Sequence, residues 1–76
     1  MNWEKRAARC LRVEMARRGV KFPTLAKLMA DNGHPVTAQS LRNKVSRGSF
    51  SAGFLLEALT LLRCEAVHLD RLGDDA

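Results

Sequence analysis

Amide, hydroxyl and basic side chains are concentrated between Thr37 and Gly48, and no acidic residue interrupts them. The residues there that can donate or accept hydrogen bonds are Thr37, Gln39, Ser40, Arg42, Asn43, Lys44, Ser46 and Arg47. Glutamine and asparagine can pair with adenine, arginine with guanine, and serine or threonine with a base or a phosphate. The chemistry open to this segment is therefore hydrogen bonding to the edges and backbone of double-stranded DNA.

A helix over Ala38–Arg47 would place these side chains on one surface. Thr37 is a suitable N-cap for it, and Gly48 a suitable terminator. Apolar residues three and four positions apart form its buried face, namely Ala38, Leu41 and Val45. At about 100° per residue, the residues that point away from the core are Gln39, Ser40, Asn43 and Arg47. Lys44 and Ser46 flank them, and Arg42 is expected nearer the core boundary.

Three further helical segments are needed to hold that helix. The first runs from about Asn2 to Arg18, and the second from Phe22–Pro23 to Asn32–Gly33. The fourth begins after Ser49 or Ser51 and ends near Arg63. Cys64–Leu72 is either a short fifth helix or an extended arm. These segments predict an all-α, compact bundle of four to five helices, with residues 1–72 as a single domain and 73–76 as a frayed tail.

The core is expected to be aliphatic, because the chain has one tryptophan, three phenylalanines and no tyrosine. On the first helix, the predicted core-facing residues are Trp3, Ala7, Cys10, Leu11 and Met15. Trp3, Phe50 and Phe54 are expected in the core or at helix junctions, whereas the sequence leaves open whether Phe22 is exposed.

The charge is unevenly distributed along the chain. Residues 1–48 contain 11 Lys and Arg against 3 Asp and Glu, giving +8, whereas residues 49–76 contain 2 against 5, giving −3; the sum is the net +5. A basic first part suggests an anionic partner, although a solvated basic surface has the same composition. The stripe of Lys5, Arg9 and Arg12 is open to the same two interpretations.

Other classes of function have little support in the sequence. We expect no secretory signal, no membrane span and a cytoplasmic location, with Cys10 and Cys64 reduced. Cys10, Cys64, His34 and His68 do not have the spacing of a zinc site, so no metal is expected. No catalytic constellation and no glycine-rich phosphate loop is present, so we expect no enzyme activity, cofactor or small-molecule substrate.

Several stretches resemble known helix-turn-helix proteins. Residues 17–28 are similar to the end of helix 1 and the start of helix 2 in phage-repressor and Cro domains. Val45–Gly48 resembles the end of their recognition helix, and Ser51–Leu59 their fourth helix. Leu41–Gly48 followed by Phe50–Ala52 is most similar to a short bacterial, helix-turn-helix-like family of unknown function. Each motif by itself is weakly specific.

The resemblance implies a repressor-like bundle with the third helix in the major groove. By position, Gln39, Ser40 and Asn43 would reach base edges, while Lys44 and Arg47 would contact the backbone. The leading hypothesis is a sequence-specific DNA-binding transcriptional regulator. It would act as a homodimer if Val67, Leu69 and Leu72 form a two-fold contact instead of completing the core.

Two alternatives remain open on sequence grounds. The chain could be a non-specific, architectural binder of nucleic acid, which needs the charge but no base readout. It could also be a protein-interaction module, an adaptor or anti-repressor, that uses Phe22 or the C-terminal arm.

Overall fold

A computed structural model describes residues 2–69, which contain four α-helices and no strand. Helix α1 spans Trp3–Arg17, α2 spans Phe22–Asp31, α3 spans Ala38–Arg47 and α4 spans Ala52–Leu61. The prediction of an all-helical fold with four to five helices is confirmed, and the described residues form four. Residues 64–68 have no regular secondary structure, so the described part of Cys64–Leu72 is not a fifth helix. Leu72 and the predicted tail, 73–76, lie outside the described residues.

Side-chain caps fix where three of the helices begin. Asn2 Oδ1 accepts a hydrogen bond from the Lys5 amide at 2.9 Å, and Thr37 Oγ1 accepts one from the Ser40 amide at 3.0 Å. Ser51 Oγ accepts from the Phe54 amide at 3.0 Å, so Ser51 and not Ser49 caps α4. Each cap satisfies an amide that has no partner within its own helix.

All four helices contribute to one hydrophobic core, and α3 packs against both α1 and α2. The largest fully buried side chains are Leu11, Leu25, Met29, Leu41 and Val45. Because Leu41 and Val45 anchor α3 in this core, the opposite side of α3 faces solvent. Among residues 2–69, no helix combines the length and apolar character needed to cross a lipid bilayer.

One expectation about the aromatic residues is wrong. Trp3 is 64% exposed and not part of the core, because it is the first residue of α1 and the first buried residue of that helix, Ala8, lies more than a turn further on. The guanidinium carbon of Arg6 instead lies over the Trp3 ring, 5.3 Å from the ring centroid. Phe22, whose exposure the sequence left open, is half-buried against the core. Phe54 is buried as predicted, and Phe50 packs against it with ring centroids 5.1 Å apart.

The loop that leads from α2 into α3 is tied to α4 by one carboxylate. Asn32 Nδ2 donates to Glu57 Oε2 at 3.1 Å, and His34 Nδ1 lies 3.0 Å from Glu57 Oε1. The hydrogen bond from His34, and then that from Asn32, holds the pKa of Glu57 below its ordinary value. Glu57 therefore helps to fix the path of the chain into α3.

At its other end, α3 stops against the first turn of α1. Gly48 has φ +72°, in the left-handed region that terminates helices. A Cβ atom at this position would lie 2.8 Å from the backbone oxygen of Glu4, closer than real contacts allow. Gly48 thus serves both the reversal of the chain and the close approach of α3 to α1.

We expect Gly48→Ala to destabilise the fold by roughly 3 kcal/mol, because left-handed strain and a backbone clash act together. Gly19 provides a matched control, since its φ is +64° but a Cβ there would meet nothing within 4 Å. Gly19→Ala should cost about 1 kcal/mol, from strain alone. Urea unfolding of both variants measures the difference, and equal losses would show that the approach to Glu4 is unimportant.

The contribution of Glu57 should depend on pH. Because its pKa is lowered in the folded state, its stabilisation is complete above the ordinary carboxyl pKa and is lost as the pH falls through the folded value. The Tm of the wild type should therefore exceed that of Glu57→Gln near neutral pH, and the gap should close on acidification. Glu65→Gln, which alters an exposed carboxylate outside the helices, should show no such trend. A gap that is constant with pH would contradict the assignment.

Candidate nucleic-acid interface

The outward side of α3 is an open polar surface. Leu41 and Val45 are 1% and 0% exposed, whereas the side chains that project from the opposite side are all exposed, namely Gln39, Ser40, Asn43, Ser46 and Arg47. The described part of the C-terminal segment, as far as Leu69, does not cover them. The structure thus brings together the residues predicted from helical spacing, and it leaves them accessible to a partner.

Arg42, Gln39 and Asn43 form a hydrogen-bonded chain along α3. Arg42 NH1 donates to Gln39 Oε1 at 3.1 Å, and Gln39 Nε2 donates to Asn43 Oδ1 at 3.0 Å. Each of the two amide oxygens therefore already accepts one hydrogen bond from a donor on the same helix. The Asn43 Nδ2 group has no partner of its own within residues 2–69, and it remains free to donate.

This arrangement gives the surface a donor character. Asn43 Nδ2 and the guanidinium groups of Arg42 and Arg47 can only donate hydrogen bonds. Acceptors such as purine N7, guanine O6 and phosphate oxygens match such a surface, and carboxylates on α3 do not compete because there are none. Holding the amides in place before binding also reduces the conformational entropy that a partner has to overcome.

Arg42, expected nearer the core boundary with its long stem carrying the charge outward, is exposed. Its guanidinium carbon sits 5.5 Å from the centroid of the Phe22 ring, at the start of α2. This cation–π contact and the bond to Gln39 orient the side chain from two directions. Sequence reasoning missed the pairing, since contacts between residues so far apart have no local signal.

Lys44 and Thr37 make contacts outside the hydrogen-bonded chain of Arg42, Gln39 and Asn43. Lys44 is half-buried, and its Nζ atom lies 4.9 Å from the centroid of the Phe54 ring, on the α4 side of α3. The Thr37 oxygen accepts the capping bond from Ser40. Both therefore flank the open surface, and Thr37 contributes chiefly by ordering the first turn of α3.

The basic residues of α1 lie on a neighbouring surface. Lys5, Arg9 and Arg12 are all exposed, as the sequence pattern predicted. The close approach of Gly48 to Glu4 places the first turn of α1 beside the end of α3. The two sets of cations thus belong to adjoining elements of the fold.

The cysteines and histidines do not assemble a further site within residues 2–69, where no three metal-binding side chains come together. Cys10 is buried, and desolvation, followed by the nearby Glu14 carboxylate, raises the pKa of its thiol. His34 is engaged by Glu57. Cys64 is half-buried and packs against the core.

Comparison with known proteins places the chain in a family. No curated protein and no solved structure gives a significant match. The profile of a domain of unknown function, DUF6471, matches residues 3–67, which include all four helices. It agrees with the resemblance to a short family of unknown function, whereas no repressor family is identified. Because the match spans most of its length, the chain belongs to the DUF6471 family.

Proposed function

We propose that this protein is a non-enzymatic, sequence-specific DNA-binding protein that acts as a transcriptional regulator. In this proposal α2, the loop 32–37 and α3 form a helix-turn-helix unit, and α3 enters the major groove of double-stranded DNA. The protein would act as a homodimer, so that two copies of α3 read two half-sites.

The observation that carries the proposal is the exposed, acid-free, donor-rich surface of α3. A helix surface that faces only solvent usually carries both acidic and basic residues, because nothing disfavours acidic side chains on it. A surface that binds a polyanion is instead expected to lack acidic residues. Here the apolar stripe of α3 is fully used by the core, and the remaining surface presents amides, hydroxyls and cations. Such a surface has the size and chemistry to enter a major groove.

The positions of the side chains suggest a division of roles. Gln39, Ser40 and Asn43 project from the first two turns of α3, the part of a recognition helix that meets base edges. Arg47, near the C-terminal end, and Lys44, at the flank, are suited to phosphate contacts. Arg42 contacts both the ring of Phe22 and the amide of Gln39. Its guanidinium therefore lies beside the amides of Gln39 and Asn43, where it suits contact with either a base edge or a phosphate.

The substitution Asn43→Asp tests base readout with little change in shape. The new carboxylate would still accept the hydrogen bond from Gln39, but one of its oxygens would stand where the donor Nδ2 was. We expect affinity for a selected duplex to fall roughly ten- to hundredfold, and the preference over random duplex to shrink. Gel-shift titrations on both duplexes measure the two effects.

Lys27→Glu is the control for this experiment. Lys27 is exposed on α2, outside the proposed contact surface, and the substitution changes net charge by two units instead of one. If net charge alone governed binding, Lys27→Glu would be the more damaging variant. Equal affinity of the wild type for selected and random duplexes would instead favour a non-specific, architectural binder, and no binding at low salt would end the DNA proposal.

Arg47→Ala tests the phosphate role. Loss of one phosphate contact should weaken binding to all duplexes by a similar factor and reduce the slope of log affinity against log salt by about 1. Lys27→Ala, which removes one positive charge elsewhere, should leave that slope unchanged. Affinity measured by fluorescence anisotropy from low to high salt gives the slope, and an unaltered slope in Arg47→Ala would exclude the contact.

A further inference from the structure

An open groove of about 540 Å³ lies beside the proposed DNA-contacting surface, between the end of α1, the following turn and the start of α2. The apolar residues that line it are Met15, Ala16, Val20, Phe22 and Pro23. Apolar surface that the protein's own fold leaves open commonly marks an interaction site. The openness of the groove suits a segment of chain lying across it better than a small molecule, which would need to be more enclosed.

Cations surround this apolar surface. Arg12 contributes from α1, Lys21 from the turn and Arg42 from α3, and none of the residues that line the groove is acidic. Both Arg12 and Lys21 are exposed, so their charged groups can approach a bound segment. An occupant that matches the groove therefore combines apolar side chains with carboxylates.

The chain itself contains a segment with that composition. Residues 69–76 include Leu69, Leu72, three aspartates and one arginine, which gives a net charge of −2. Leu69, the first of them and the last described residue, is 77% exposed and makes little use of its apolar side chain within its own molecule. Charge and apolar character are thus complementary between the groove and residues 69–76.

We propose that the groove binds residues 69–76 of a second copy of the chain, with leucine on the apolar surface and aspartates against Arg12, Lys21 and Arg42. A reciprocal exchange of the two segments would give a closed, two-fold dimer. This proposal names the contact behind the homodimer of the proposed function, but it requires no DNA. Its failure and the failure of the DNA-binding proposal can therefore be told apart.

Each copy of the chain carries both the cationic, apolar groove and an acidic segment with leucines, so two copies can satisfy both contacts at once. A segment that bound the groove of its own molecule would leave the protein monomeric at every concentration, so sedimentation distinguishes the two sources.

Charge reversal of each partner tests the proposal in the absence of DNA. The groove variant carries Arg12→Glu and Lys21→Glu, and the segment variant carries Asp74→Lys and Asp75→Lys. Sedimentation of the 76-residue wild type from about 10 µM to 1 mM should show a reversible dimer, since a contact of this size is weak. Each variant alone should dimerise at least about tenfold more weakly, because like charges then oppose each other.

Mixing the two variants is the decisive measurement. In a mixed dimer each groove meets a segment of opposite charge, so an equimolar mixture should recover the dimer that both variants lose. Lys27→Glu with Arg63→Glu is the control, as it makes the same change in net charge at exposed positions outside the groove and should dimerise like the wild type. Circular dichroism checks that each variant keeps its helix content. If the double groove variant has lost helix, Lys21→Glu alone is used in its place.

Three results would overturn the proposal. A wild type that stays monomeric at every concentration has no such contact. A groove variant that dimerises as well as the wild type shows that the dimer uses another surface. A mixture that stays monomeric, although each variant is folded, shows that the segment and the groove do not meet between molecules.

Discussion

The burial of Leu41 and Val45 is the constraint on which the rest of this small structure depends. These two side chains insert α3 between α1 and α2, and they are the only fully buried residues that α3 contributes. A helix anchored by so narrow an apolar stripe has most of its circumference free. In this protein the free part carries exposed amide, hydroxyl and basic side chains, so the packing of the core and the presentation of this polar surface have the same cause.

Contacts at both ends keep α3 in place. The loop before α3 is hydrogen-bonded through Asn32 and His34 to Glu57 on α4. At the other end, Gly48 follows the last residue of α3 and lies against the backbone of Glu4. A domain of this size has a small hydrophobic core, so specific polar and steric contacts contribute a larger share of its stability than they do in a larger protein. The orientation of the outward surface is set by these contacts together with the core.

Phe22 links the two surfaces for which we propose partners. One face of its ring carries the guanidinium of Arg42, which in turn binds Gln39 on α3. The same residue lines the groove beside α1. Arg42 thus belongs both to the α3 surface for which we propose DNA and to the groove for which we propose an acidic segment, and in these proposals binding at one site would change the charge available at the other.

Local sequence signals determined the helices well. The bounds of α3, the caps Asn2 and Thr37, and the stop at Gly48 all depend on neighbouring residues, so periodicity and capping chemistry were sufficient to predict them, whereas the choice of Ser51 over Ser49 as the cap of α4 came from the structure. The acid-free surface of α3 also followed, because the angle between side chains on one helix is fixed by its geometry. The charge asymmetry was likewise a property of the sequence alone.

Only the tertiary structure decided which helix faces meet and what lies between them. Trp3 has the spacing of a core residue and lies about 20° around α1 from the buried Cys10, yet it is exposed because it precedes the first buried residue of the helix, Ala8, by more than a turn. The pairs Arg42–Phe22 and His34–Glu57 join residues about twenty positions apart, and the groove arises where α1, its turn and α2 diverge. Periodicity gives each side chain an angle on its own helix, but contacts between helices depend on how the whole chain packs.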